Sequence, residues 1–245
     1  GLAFAQSVQP ATQIKFISFN GVYHLSRDSR GVSLLTSQET IGADFQDSGD
    51  YGITRSLPKK FNGQAVDVKV LNVTDAAGNP VPYKTASDNK DNLVITTGDP
   101  KINLYGPQTI KINYQTTGVI NLNQKSDQFL LNVNGRGWSQ PFDGVSATLY
   151  VPDSFQAAIL GQPSCYVSPG NGQCRVDRQE KPGSTVITTE ANNVKAGQAL
   201  VLRVNFKPST FTQKKSSPNP VVYVVVALLL IAIMLVARSR RRKTR

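Results

Sequence analysis

One imidazole, two thiols and 16 carboxylates, only three of them glutamates, are what this 245-residue chain offers for acid–base, nucleophilic or metal chemistry. His24, between Tyr23 and Leu25, reads as a strand residue. A nucleophilic triad around it would need a G-x-S-x-G elbow or a similar strand-to-helix turn, and the chain contains none. Zinc fingers and paired C-x-x-C clusters cannot be assembled from this inventory. Sixteen acids could in principle supply a glycosidase pair, yet none sits in a recognisable cleft motif. Asp44, Asp47 and Asp50 are spaced by three in a glycine-bearing turn (DFQDSGD), which could wrap an oxygen-seeking cation. The spacing departs from D-x-D-x-D-G and Arg55 competes nearby, so a solvated loop is the plainer reading, and neither metal nor cofactor is expected. Gly135-Arg136-Gly137 and Gly170-Asn171-Gly172 lack the following helix of a phosphate cradle and read as turns.

Binding chemistry is better represented. Arg55 to Lys60 (RSLPKK) places three cations around a proline bend next to the acidic turn, so Tyr51, Arg55, Lys59 and Lys60 form the candidate contact region. Such a region could face phosphate-rich wall polymers or lipid headgroups; the alternative is an ordinary soluble face. Trp138 follows a Gly-x-Gly turn and is either a core plug, the usual role of a lone tryptophan in a β-sandwich, or a ligand platform. Cys165 and Cys174 lie nine apart among Pro163, Pro169, Gly170 and Gly172, where the ends of a hairpin can meet. In an oxidising compartment they are expected to be bridged; two buried thiols are the alternative.

The elements that must position these residues read as strands. Ile14 to Phe19, Val66 to Val70 and Ile110 to Tyr114 alternate apolar and polar residues, and Leu93–Thr97, Phe129–Val133, Val145–Val151, Thr185–Thr189 and Ala199–Phe206 add further candidates. Turn signals such as Gly98-Asp99-Pro100 and Asn134-Gly135 separate them. About ten short strands at this spacing predict an all-β fold, a large antiparallel β-sandwich, either immunoglobulin-like or two fused sandwiches.

Charge is concentrated at one end. Of the formal +11, six positive groups lie in the last eight residues, after an uncharged 17-residue run from Val221 to Ala237. That run spans roughly 25 Å as a helix, and Tyr223 and Arg238 can extend it toward the ~30 Å bilayer core. A single transmembrane α-helix is therefore expected, with the basic tail cytoplasmic and everything before it outside. Lys214 and Lys215 oppose that orientation with two charges against six. Eight residues against a membrane offer no nucleic-acid groove, so no nucleic acid is expected. Ala3-Phe4-Ala5 reads as the end of a cleaved secretory signal; an arbitrary start is the alternative. Ser209 to Pro220 is polar and proline-bearing, which suggests a stalk.

Several runs occur in one order: FNGVYHLS (Phe19 to Ser26), GVSLLTSQETI (Gly31 to Ile41), YGITRSLP (Tyr51 to Pro58), Val73-Thr74-Asp75 to Pro82-Tyr83, GDP (Gly98 to Pro100) with YGPQTIKINY (Tyr105 to Tyr114), and DQFLLNVNGRGW (Asp127 to Trp138). Together they resemble the YciQ-like predicted membrane proteins, the domain of unknown function 2207, over residues 14 to 206. The aromatic pair of that family's D-x-x-Y-W-N-V-x-G-x-G-W signature is Phe129-Leu130 here. The resemblance implies an extracytoplasmic amino-terminal domain followed by the first transmembrane helix, and it carries over no activity residue by residue.

The expected organisation is a signal remnant and extension at 1–13, an extracytoplasmic β-sandwich at 14–207, a stalk at 208–220, the transmembrane helix at 221–237 and a basic cytoplasmic tail at 238–245. The expected function is that of a non-enzymatic, single-pass binding or structural module at the cell envelope. Its expected partners are the lipid bilayer and an envelope protein or anionic wall polymer. The alternatives are a cell-surface adhesin or wall-associated protein, although no L-P-x-T-G-like pentapeptide precedes the helix, and an extracytoplasmic hydrolase.

Overall fold

A computed structural model of the chain describes residues 14–46, 50–61 and 64–214. The amino-terminal extension, Asp47, residues 215–220 of the expected stalk, the apolar run 221–237 and the basic tail lie outside the described residues. The strands in chain order are β1 (Ile14–Arg27), β2 (Ser33–Phe45), β3 (Thr54–Pro58), β4 (Lys60–Phe61), β5 (Gln64–Ala65), β6 (Asp67–Thr74), β7 (Tyr83–Ser87) and β8 (Asn92–Thr97). They continue with β9 (Gly106–Thr117), β10 (Ile120–Leu122), β11 (Asp127–Asn132), β12 (Phe142–Pro152), β13 (Ile159–Ser168), β14 (Arg175–Lys181), β15 (Ser184–Val194) and β16 (Ala199–Phe206). Among the described residues one four-residue helix, α1 (Asp153–Gln156), interrupts them. The fold is mostly β, as the alternation predicts, but β1, β2, β9, β12 and β15 are each 11 to 14 residues long rather than short.

Seven strands form the main sheet in the order β14-β15-β12-β1-β2-β9-β6; four form β10-β11-β16-β13, three form β3-β8-β7, and β4 and β5 make a small hairpin. The expectation of a purely antiparallel arrangement is corrected at one pair, because β1 and β12 run parallel from Phe16↔Phe142 to His24↔Tyr150. Strand period is the same in both arrangements, so alternation alone cannot distinguish them. Alternate residues of β2, including Leu35, Ile41, Ala43 and Phe45, point into the core. Facing them across one continuous apolar cluster are Phe129 of β11, Leu202, Val204 and Phe206 of β16, Leu57 of β3 and Ile95 of β8. Each such large side chain contributes roughly 1.5–3 kcal/mol on burial. In β1 the register against β2 slips between Phe16 and Ser18, leaving Ile17 as the extra, exposed residue. This bulge resets the inward parity, so that Phe16 and Phe19 both face the core.

Cys165 on β13 and Cys174, just before β14, form a disulfide with Cα atoms 6.1 Å apart. The stalk expected from residue 208 does not begin there. Phe211 is buried against Phe155 and Phe206, and its amide donates to the Asp127 carboxylate at 2.8 Å. Thr212 pairs with the chain at Gly31 and Val32. One aromatic side chain with a buried acceptor waiting for its amide outweighs the polar composition around it. Among the described residues no helix is long and apolar enough to cross a membrane.

Candidate functional site

Glu39 has the central place in the interior. It sits on β2 in the inward register of Leu35, Ser37 and Ile41, and β3 places Arg55 inward between Ile53 and Leu57. The two side chains meet as a bidentate pair, Arg55 Nε to Glu39 Oε2 and Nη2 to Oε1, each at 2.7 Å. Tyr114 of β9 and Tyr23 of β1 flank Ser37 on the two neighbouring strands, and their hydroxyls donate to the same Oε1 at 2.6 and 3.3 Å. Gly21 stands opposite Glu39 on β1, and a β-carbon there would collide with the Tyr23 ring, so the glycine makes room for the tyrosine to lie along the sheet.

The remaining Arg55 donors reach the loop after β11. Nη1 donates to the carbonyl of Asn134 at 2.8 Å and to that of Ser56 at 3.2 Å, while Nη2 also reaches the Val133 carbonyl at 3.3 Å. Gly135, at φ +73°, keeps that approach open: a β-carbon would stand 2.5 Å from Arg55 Nη1. The Asn134 side chain is tied in turn to β16, through the Leu200 amide and the Gln198 carbonyl. Burial opposes the Arg55 charge, but the Glu39 carboxylate more than offsets it and raises the guanidinium pKa. Burial first, then the Glu39 charge, pushes both tyrosine hydroxyls well above their ordinary value of 10.0. The arrangement ties three sheets together with its charges internally matched. It offers structure rather than a reactive group.

Above this network lies a cleft of about 480 Å³. The main sheet contributes Leu35 and Tyr114 to it, β3 contributes Arg55, Ser56 and Leu57, and β11 contributes Phe129 and Leu131. Phe61, Val66 and Val119 extend the apolar wall, and Lys90 and Arg136 are exposed members of its lining. Pockets of ~300–1,000 Å³ with apolar walls and a few placed polar groups are the usual form of small-molecule sites.

The structure separates the residues that the sequence groups together. Arg55 is 3 % exposed and pairs with Glu39, so it is corrected from an exposed contact to a buried member of the network. Lys59 and Lys60 remain at the surface, bonded to Ser87 at 2.9 Å and Asp91 at 2.7 Å, and Tyr51 is half-buried. Of its two readings Trp138 takes the core plug and not the binding role, packed edge-on against Phe16 and Phe142 with its indole N–H donating to the Asn134 carbonyl at 2.6 Å. His24 is exposed and stacks on Tyr150 at 4.6 Å. Asp44 pairs in register with Lys15 and Pro107; Asp47 lies outside the described residues. Among the described residues no group of three His, Cys, Asp or Glu side chains is placed to hold a metal ion. Sequence reasoning missed Glu39, Tyr23 and Tyr114. The signal was present, because period two puts each on the same face as its apolar neighbours.

No curated protein sequence matches the chain. Among solved structures it is similar to a putative protease from Parabacteroides distasonis, at 10 % identity and a TM-score of 0.46, with 80 % of this chain and 41 % of that one covered. It is similar to an M1 zinc metallopeptidase from Deinococcus radiodurans at 13 % identity and TM-score 0.47, over 78 % of this chain and 42 % of the other. A leukotriene A4 hydrolase from Saccharomyces cerevisiae aligns at 7 % identity and TM-score 0.45, over 78 % and 29 %. The chain thus spans well under half the length of these neighbours. A family profile described as the amino-terminal domain of a predicted membrane protein, DUF2207, matches residues 33–206, the stretch that holds Glu39, Arg55, Tyr114 and the cleft lining, and the chain belongs to that family.

Proposed function

We propose that the chain is a single-pass, membrane-anchored β-sandwich that acts outside the cytoplasm at the cell envelope, by binding rather than by catalysis. The observation that carries the binding reading is the cleft of about 480 Å³, whose reactive-looking members are already engaged. Arg55 is paired with Glu39, and Tyr114 donates to the same carboxylate. What the cleft presents to a visitor is a mostly apolar wall that includes Ser56, Thr116 and Asn132, with Lys90, Arg136 and Asp88 at its surface end. The membrane anchoring is supported by the family description and by the uncharged run 221–237 followed by its basic tail.

The test uses the full chain in its own membrane. A photoreactive side chain replacing Leu130, which lines the cleft, is expected to give a discrete adduct on irradiation of cells. The same side chain replacing Gln179, exposed on β14, is expected to give none. Absence of an adduct at 130, or the same adduct at both positions, overturns the binding reading.

A further inference from the structure

We infer that the cleft takes an acyl chain ending in an anionic group, either a free fatty acid or the chain and headgroup of an anionic lipid. The inference rests on the binding reading above and goes further by naming the ligand chemistry.

The cleft wall determines the body of the ligand. Leu35, Leu57, Phe61, Val119, Phe129 and Leu131 present hydrocarbon, and burying apolar surface against them is the favourable exchange. Ser56, Thr116 and Asn132 also line the cleft, but the two largest polar groups against this wall have little left to offer a polar ligand. Arg55 spends its donors on Glu39 and on the carbonyls of Ser56, Val133 and Asn134, and Tyr114 spends its hydroxyl on Glu39. A sugar or peptide body entering here would find few partners to replace the hydrogen bonds it gives up to water, and each buried group left unpaired weakens its binding. An alkyl chain loses nothing of this kind.

The surface end of the lining determines the head. Lys90 and Arg136 are exposed cations there, Arg136 reaching Ser168 Oγ at 2.8 Å through Nη2. One acid, Asp88, lies beside them, but its oxygens are occupied within its own turn. Oδ1 accepts the amides of Lys90 at 2.9 Å and Asn92 at 2.8 Å, and Oδ2 accepts Asn92 Nδ2 at 2.8 Å. These bonds, with the Asn92 side chain the largest contributor, hold the Asp88 carboxyl below its ordinary range. Asp88 therefore stays ionised and its charge also acts on Lys90, so Lys90, Arg136 and Asp88 together leave the rim one net positive charge to meet an anion. The volume of about 480 Å³ accommodates one small-molecule ligand, well short of a folded partner.

The full chain reconstituted in phosphatidylcholine nanodiscs is irradiated with one of three probes. These are palmitic acid carrying a mid-chain diazirine, its methyl ester, and phosphatidylglycerol with the same diazirine chain. The acid, the phosphatidylglycerol or both are expected to label peptides containing Leu57, Phe61, Phe129 or Leu131, in competition with unlabelled palmitate, and the ester is expected to label them weakly. Labelling by the acid alone identifies a free fatty acid as the ligand; labelling by phosphatidylglycerol identifies the lipid.

Lys90→Glu combined with Arg136→Glu is expected to lower labelling by the anionic probes about tenfold, because like charges placed together at a rim repel. Both positions are exposed, so the melting temperature is expected to hold. Labelling confined to residues 214–245, equal labelling by acid and ester, or a double variant that labels like the wild type would each overturn the proposal. An adduct at position 130 in cells whose mass is not that of an acyl compound would overturn this inference and leave the binding reading standing. No adduct there removes both.

Discussion

Taking away Arg55 would strand the Glu39 carboxylate in an interior it shares only with two tyrosine hydroxyls. Breaking one side of a buried ion pair costs about 3–5 kcal/mol, whereas exposed substitutions usually cost less than about 0.5 kcal/mol. Arg55→Ala is therefore expected to lower the urea midpoint sharply, and Lys59→Ala or Lys60→Ala to leave it almost unmoved. The exposed Lys60–Asp91 pair is of the kind worth about 0–1 kcal/mol. Equal effects for all three would mean that Arg55 is not the inward member. The same network has a pH signature whose sign follows from the tyrosines. Their folded-state pKa values are raised above the ordinary 10.0, so their contribution is fully present below about pH 10. It is lost as pH rises further, where the unfolded chain sheds protons that the native state retains. Thermal melts between neutral pH and pH 11 should show a steeper alkaline decline for the wild type than for the Tyr23→Phe, Tyr114→Phe double variant, which cancels the background from surface lysines.

At the scale of elements, the segment after β16 belongs to the domain because of one acceptor. Asp127 is buried at the start of β11 and takes the Phe211 amide, while Arg27 Nη1 donates to the Thr210 carbonyl at 2.9 Å and Thr212 Oγ1 to that of Arg30 at 2.6 Å. Asp127→Ala leaves that amide without its partner and should cost about 1–3 kcal/mol. Hydrogen exchange is expected to speed up at Phe211 and Thr212 and to stay slow at Ile110 and Ile112 in the middle of β9. Unchanged protection at Phe211 would show that aromatic packing alone holds the segment. The inward parity of β2, β3 and β9 was legible in their alternation, and with it the burial of Glu39, Arg55 and Tyr114. The obstacle was the habit of placing charges outside, which fails where two opposite charges meet within hydrogen-bond reach. The polar run around Phe211 hid its docking for a related reason, since composition records how many groups are polar but not whether one buried carboxylate faces them.

For the molecule as a whole, the uncharged run 221–237 and the six cations after it support the proposed outside-facing domain and cytoplasmic tail. Protease applied to intact cells, with any outer membrane permeabilised, is expected to digest the residues before Pro220 and to spare a tag placed after Arg245; a protected domain would reverse the orientation. By itself the sequence determined the mostly β character, the family, the positions of eight of the sixteen described strands and the pairing of Cys165 with Cys174, each of which depends on period, turn chemistry or spacing within a short stretch. Only the tertiary structure decided that β1 and β12 lie side by side and parallel, that Arg55 meets Glu39 across 16 residues and the Asn134 carbonyl across 79, and that β3, β11 and the main sheet enclose a cleft. Local pattern sets which way each side chain points along its own strand. Which strands become neighbours is settled by the collective burial of one apolar cluster drawn from three sheets, and no window of sequence contains that information.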